Sequence, residues 1–239
     1  MGLRESKKQE TRQLISDCAT RLFIEQGFEQ TTITEIAAAA RVAKKTVTNY
    51  FPRKEDLALD HHEAFTQGLA AAVAGREPGE EPLAALRRTF RAALLEHSPV
   101  VGFTGPAFAR MVADSPTLSA RLRELHEQRE EALASALADA VPTDAVPTDA
   151  VPTDAVPTDA APTDAAPTAA TSDPAPAIAP RAAAALIAAA DRLLFRRIQE
   201  LTLAGYSNDR IEAALLPEAD HLRALLAAAL GGHSDAASA

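Results

Sequence analysis

Thr31 to Phe51 read TTITEIAAAARVAKKTVTNYF, and the spacing inside this stretch decides the fold. Thr32 and Glu35 stand three apart ahead of an apolar run. That is the S/T-x-x-E capping box, in which each side chain satisfies a backbone donor left open at a helix start. It predicts a short helix through about Ala40. Arg41 to Ala43 reads as a tight connection, followed by a second short helix from about Lys44 to Tyr50. Val47 and Phe51, four apart, share one face of it, and Pro52 ends it by lacking an N–H.

Working outward, Leu14, Ile15, Cys18, Ala19, Leu22 and Phe23 recur at helical spacing upstream, and Gly27 can close that helix in the left-handed conformation. Cys18 is therefore read as core. Downstream, a long helix from about Lys54 to Ala74 is expected, with Leu57, Ala64, Phe65, Leu69, Ala72 and Val73 inward. One helix followed by two short ones makes a tri-helical helix-turn-helix unit. Beyond the breakers GREPGEEP at 75–82, the helical pattern resumes with Leu83, Leu86, Phe90, Ala93 and Leu94, then with a stripe of Leu118, Leu122, Leu125, Leu133 and Leu137 after Pro116. Further helices are expected over about 181–204 and 208–230, with Pro217 breaking or restarting the last. No segment reads as a strand. The fold class is all-α: a head over residues 1–54, a helical body over 55–230 and a flexible tail over 231–239.

Composition narrows the function. Aromatic residues are 4% with no Trp, which suits close-packed helices better than a β-sandwich. A single cysteine forms no internal disulfide, and Met1 leads straight into GLRESKKQE without an apolar leader, so a soluble, cytoplasmic protein with no membrane partner is expected. The charge is uneven. Ten Lys/Arg against six Asp/Glu give residues 1–54 a net +4, so the remainder carries −13 of the total −9. A basic head on an acidic body is the asymmetry expected when one part meets phosphates and the other does not. His61 and His62 are adjacent and point about 100° apart on a helix, unlike a metal-binding i, i+4 pair. No nucleophile, phosphate-loop or dinucleotide motif is present, so neither catalysis, a cofactor nor a metal is expected.

The head has what a groove-reading helix needs: short length, apolar backing and polar edges. Val47 and Phe51 give the backing, while Lys44, Lys45, Thr46, Thr48 and Asn49 occupy the other faces. The residues from 14 to 57 carry a resemblance to the TetR family of transcriptional regulators. Ile33, Glu35, Ile36, Ala37, Ala40, Val42, Thr46, Val47, Tyr50, Phe51, Lys54 and Leu57 stand as in that family's pattern. The likeness implies double-stranded operator DNA as partner, with Lys44, Lys45, Thr46, Thr48 and Asn49 toward the groove and Thr32, Tyr50 and Lys54 on phosphates. The pattern usually has Gly where Arg41 stands, Ser where Ala43 stands and an aromatic ring at Thr48. Arg41 is a candidate replacement for the phosphate contact of the missing Ser.

The resemblance further implies a homodimer, assigned here to residues 181–230, where the stripe Leu186, Leu193, Leu194, Ile198 and Leu201 needs a partner. It implies a ligand cavity in the body, for which Phe90, Phe103, Phe108, Met111, Leu125, His126 and Phe195 are the candidate lining. The expected function is a repressor that binds a palindromic operator and is released by a small, mainly apolar effector. A constitutive dimeric DNA-binding protein without a ligand, and an enzyme carrying a DNA-binding appendage, are the alternatives.

Within the body, VPTDA recurs four times over residues 141–160 with decayed copies after it. Pro at every fifth position leaves no helical or strand period, so residues 141–180 are expected to be an extended, mobile loop. A flexible chain of roughly 35 residues averages about 30–35 Å end to end, enough to connect neighbouring helices.

Overall fold

The computed structural model describes residues 3–140 and 178–231. The VPTDA repeat and the residues after 231 lie outside them. Ten α-helices and one 3₁₀ turn, and no strand, make up the described residues.

α1 (Leu3–Gln26) is longer than the apolar stripe alone predicts and ends at Gly27, whose φ of 89° is left-handed. α2 (Ile33–Ala39) begins on the capping box. Thr32 Oγ1 accepts from the Glu35 amide at 3.2 Å, and the Glu35 carboxylate accepts from the Thr32 amide at 2.8 Å. Arg41 turns the chain at φ 54°, a conformation that costs a non-glycine residue about 1 kcal/mol. α3 (Lys44–Tyr50) then starts at Ala43, which offers no side-chain cap. These helices close on one core: Ile15, Ala19, Phe23, Ile36, Val47, Phe51 and Leu57 are almost fully buried together.

The expected single helix from Lys54 to Ala74 is two. α4 (Lys54–Ala58) stops at Leu59, whose φ and ψ of −108° and 52° leave the helical region, and α5 (His62–Ala74) restarts beyond it. Within α5, Ala64 is exposed and Thr66 takes the buried place. In α1, Leu14 is exposed while Ser16 is buried.

α6 (Pro82–Leu95), a 3₁₀ turn (Pro99–Val101), α7 (Pro106–Asp114), α8 (Pro116–Asp139), α9 (Ile178–Leu203) and α10 (Asn208–Gly231) build the body. Ser115 caps α8 by accepting from the Leu118 amide at 3.1 Å. α10 continues through Pro217 rather than breaking there. α5 packs chiefly on α8, α8 on α9, and α9 on α10. Met111 of α7 and Leu118 of α8 enter the head's core, so head and body share apolar surface. Asp56 of α4 pairs with Arg121 of α8 at 3.0 Å with both side chains largely buried. Ser115 also donates to the Glu29 carboxylate at 2.7 Å.

Candidate nucleic-acid interface and interior cavity

α3 is held against the head by its apolar side and presents its polar side outward. Val47 is fully buried, while Lys44, Lys45, Thr48 and Asn49 are exposed and Thr46 and Tyr50 are half-buried. The Thr48 hydroxyl donates back to the Lys45 carbonyl at 3.2 Å. Arg12, which sequence reasoning missed, fixes the far end of α3. Its guanidinium donates to the Tyr50 carbonyl at 3.2 Å and lies 4.3 Å from the centre of the Phe51 ring. Its exposed neighbours Lys7, Lys8 and Glu10 give a solvated-helix pattern that carries no sign of this contact.

Two of the expected phosphate contacts, Thr32 and Lys54, are already engaged. Both the amide and the hydroxyl of Thr32 reach the Glu35 carboxylate at 2.8 Å, and those bonds hold the Glu35 pKa below the ordinary carboxylate value. An anion at this helix start must displace Glu35. Lys54 Nζ lies 4.4 Å from the Phe28 ring centre and 3.4 Å from the Glu29 carbonyl. Burial pulls its pKa below the ordinary lysine value, against the attraction of Glu29, Glu55 and Glu35. Arg41 is exposed at the turn.

Between head and body lies a half-open cavity of about 650 Å³. Its body side is apolar, with Phe65, Val100, Phe103, Phe108, Leu125 and Phe195 among its walls; its head side is α1 and the α4–α5 break, including Ser16, Asp17, Asp60 and His61. Of the seven residues expected to line a cavity, Phe103, Phe108, Leu125 and Phe195 do so. Phe90 packs instead in the core of α6, α9 and α10, and Met111 is turned toward the head's core, where it lines a separate cavity between α1 and α7. His126 stands behind the wall, its ring edge-on to Phe65 at 4.9 Å and to Phe195 at 5.4 Å.

The His126 Nδ1 is buried without a hydrogen-bond partner. Burial depresses its pKa to about 4, with Arg129 adding to the effect and Asp191 opposing it. The folded value lies below the unfolded one, near 6.5, so the unfolded chain binds more protons between the two. Stability is therefore complete above pH 6.5 and falls as pH drops toward 4. His126→Phe is expected to remove about 2–3 kcal/mol of that acid-side loss, read as the difference in urea unfolding free energy between pH 7 and pH 4.5. An unchanged difference would show that His126 is not neutralised by its surroundings.

Arg129 sits at the position where the Leu118–Leu125–Leu133 stripe should continue with an apolar residue. It is 4% exposed, donates from Nε to Asp191 at 3.0 Å and from a terminal nitrogen to the Phe65 carbonyl, and lies 4.7 Å from the Phe65 ring centre. This one side chain joins α5, α8 and α9 directly behind the cavity. The sequence signal was the gap in the stripe, a step of eight from Leu125 to Leu133 with a charged residue midway.

α9 divides its apolar residues between two faces. Leu194 and Ile198 are buried inside the subunit, Leu201 is half-buried, and Leu186 and Leu193 are exposed. The first three therefore need no partner from outside, because α6 and α10 already cover that side. Leu186 and Leu193, seven residues apart, share the outer face, and Leu225 of α10 is likewise exposed. Among the described residues no group of His, Cys, Asp and Glu is arranged to hold a metal, and no helix is long and apolar enough to cross a membrane.

Residues 15–60 match the family described as bacterial regulatory proteins, tetR family. Over 142 residues the chain is 35% identical to the HTH-type transcriptional regulator TcmR of Streptomyces glaucescens, spanning 57% of this chain and 63% of that protein. It is 37% identical over 86 residues to the HTH-type transcriptional regulator AcrR of Shigella flexneri, 35% of this chain and 40% of that one. The chain thus matches less than two thirds of the length of either relative. In three dimensions it resembles a protein of Mesorhizobium loti described as a TetR-family transcriptional regulator, with a TM-score of 0.52 at 18% identity over 93% of this chain and 97% of that one. That likeness concerns the fold and extends through head and body alike. The match over residues 15–60 thus places a tetR-family head at the start of the chain, and the chain as a whole shares its fold with a regulator described as TetR-family.

Proposed function

We propose that the protein is a transcriptional repressor that binds a palindromic DNA operator as a homodimer and is released by a small, mainly apolar molecule. The observation that carries this reading is the cavity's position: its walls include α1 of the head and the α4–α5 break, as well as the body. An occupant that fits only one setting of head against body would shift the spacing of two recognition helices in a dimer. By linkage, effector and operator would weaken each other by the same factor, typically 1–3 kcal/mol. The Asp56–Arg121 pair beside the junction would transmit the shift, since Leu122 and Leu125 of the same α8 line the cavity.

On the DNA side, Lys44, Lys45, Thr46, Thr48 and Asn49 are proposed to face the major groove, and Thr32, Arg41, Tyr50 and Lys54 the phosphates. A dimer is needed because one short helix contacts too few bases, and the exposed leucines of α9 and α10, within residues 181–230, offer the face for it. Residues 1–54 and 55–230 are the proposed functional division, although the head's apolar core continues to Leu57 and Ala58.

Asn49→Ala is expected to change which sequence is preferred, with a loss of about 1–3 kcal/mol at one base position. Lys54→Ala should weaken all sequences alike and reduce the salt slope by about one. Fluorescence anisotropy over a salt series, on operator and on scrambled duplexes, separates the two effects. If neither substitution alters binding, α3 is not the reading helix.

A further inference from the structure

We infer that the interior cavity selects a hydrophobic organic cation over a neutral or anionic molecule of the same shape. This rests on the reading of that cavity as the effector site and adds the charge of its occupant.

The charged groups on the lining are the carboxylates of Asp17, Glu25 and Asp60 and the guanidinium of Arg21, with His61 and His62 the other titratable side chains. The carboxylates outnumber the fixed cation three to one. Of these three carboxylates Asp60 is the most enclosed, with a side chain 22% exposed. It accepts from the Ser16 hydroxyl at 2.5 Å, and its nearest basic nitrogen is His61 Nε2 at 3.7 Å, on a largely exposed ring. Asp17 accepts from the neutral amide of Gln13 at 2.8 Å. Among the described residues neither Asp17, Glu25 nor Asp60 has a lysine or arginine nitrogen within 4.0 Å. Asp17 and Glu25 are exposed at the rim, one helical turn to either side of Arg21, whereas Asp60 is partly enclosed, bonded to Ser16 and turned to the apolar volume, where its field is less screened.

The opposite wall suits the same occupant. Phe65, Phe103, Phe108 and Phe195 offer rings whose negative faces attract a desolvated cation while their area takes up its apolar body. Behind Phe65 and Phe195 the buried His126 remains neutral, so it adds no positive charge at the deep end. Arg129, deeper still, has its charge matched by Asp191. A cation therefore gains from both sides of the cavity. A neutral isostere gains from one, and an anion is repelled at the mouth.

The test uses the full chain and three probes: methyltriphenylphosphonium, neutral triphenylphosphine oxide with the same three phenyl rings, and the anion tetraphenylborate. Isothermal titration is expected to show the phosphonium binding about tenfold tighter than the phosphine oxide, with the borate weakest. Asp60→Asn keeps a group able to bond Ser16 but removes the charge. It should lower phosphonium affinity severalfold and leave the phosphine oxide affinity unaltered, and Asp17→Asn should act in the same direction. Equal affinity for cation and neutral probe, tightest binding of the borate, or no effect of either substitution would overturn the charge preference while leaving an apolar cavity. Binding of none of the three would also overturn it. Operator binding measured on the same unaltered protein then shows separately whether the DNA-binding reading stands.

Discussion

Asp191→Ala should destabilise the protein by about 3–5 kcal/mol, the scale for removing one partner of a buried ion pair. The chain offers the stranded charge no escape. Arg129 is buried among α5, α8 and α9, and its guanidinium already uses the Phe65 carbonyl and lies against the Phe65 ring. Gly68 leaves the space it occupies: a Cβ there would stand 3.3 Å from an Arg129 terminal nitrogen. Arg223, also buried and 5.1 Å from the Phe90 ring centre, is a second guanidinium in the field of Asp191. In a chain of this size the loss corresponds to a Tm lower by roughly 10 °C, measurable by circular dichroism melting alongside urea unfolding. The double replacement Arg129→Met with Asp191→Leu should recover most of it, because the pair's attraction is largely offset by the cost of burying both ions. A loss below about 1 kcal/mol in Asp191→Ala would mean that water reaches Arg129 and that the pair does not tie α5 to α9.

The second large effect concerns the outer face of α9. Leu186→Asp with Leu193→Asp places two carboxylates on the proposed dimer surface without touching Leu194 or Ile198 in the core beneath. Burying either charge unpaired in an apolar interface is prohibitive, so the variant should sediment as a monomer with its melting curve little changed beyond what dissociation brings. A monomer reads one half-site, and half of the usual 4–10 kcal/mol that separates specific from non-specific binding is then lost. Operator affinity should fall on the order of 100-fold. A variant that remains dimeric would move the interface elsewhere.

Much of the head was legible because its signals are local. A capping box, a left-handed turn and a proline stop act over a few residues, and the structure has helix starts at Ile33 and Lys44 as the spacing predicts. The strained turn at Arg41 and the uncapped Ala43 were legible only against the family's pattern, which usually has Gly and Ser at those two positions. What escaped was decided by contacts distant in sequence. The break at Leu59 follows no Gly or Pro; it occurs where the chain passes from the head's core to the body's. Asp60, one residue on, bonds Ser16 across 44 positions. The charge of the cavity was hidden in the same way. Asp17 and Glu25 belong to the head by sequence, and only the packing of α1 beside Phe103 and Phe195 gives the apolar chamber an acidic side. On α9 a single apolar stripe was visible, but its division into an inner face of Leu194 and Ile198 and an outer one of Leu186 and Leu193 depends on where α6 and α10 lie.

The central claim is that α3 of two subunits reads a symmetric DNA site, and selection from a random duplex library with the full-length protein tests it most directly. Sequencing of the retained DNA should show an inverted repeat with half-sites about one helical turn or a multiple apart, and Asn49→Ala should change the preferred base at one position in each half. Retained DNA with no enriched motif, or an enriched motif that Asn49→Ala and Thr46→Ala both leave unaltered, would contradict it.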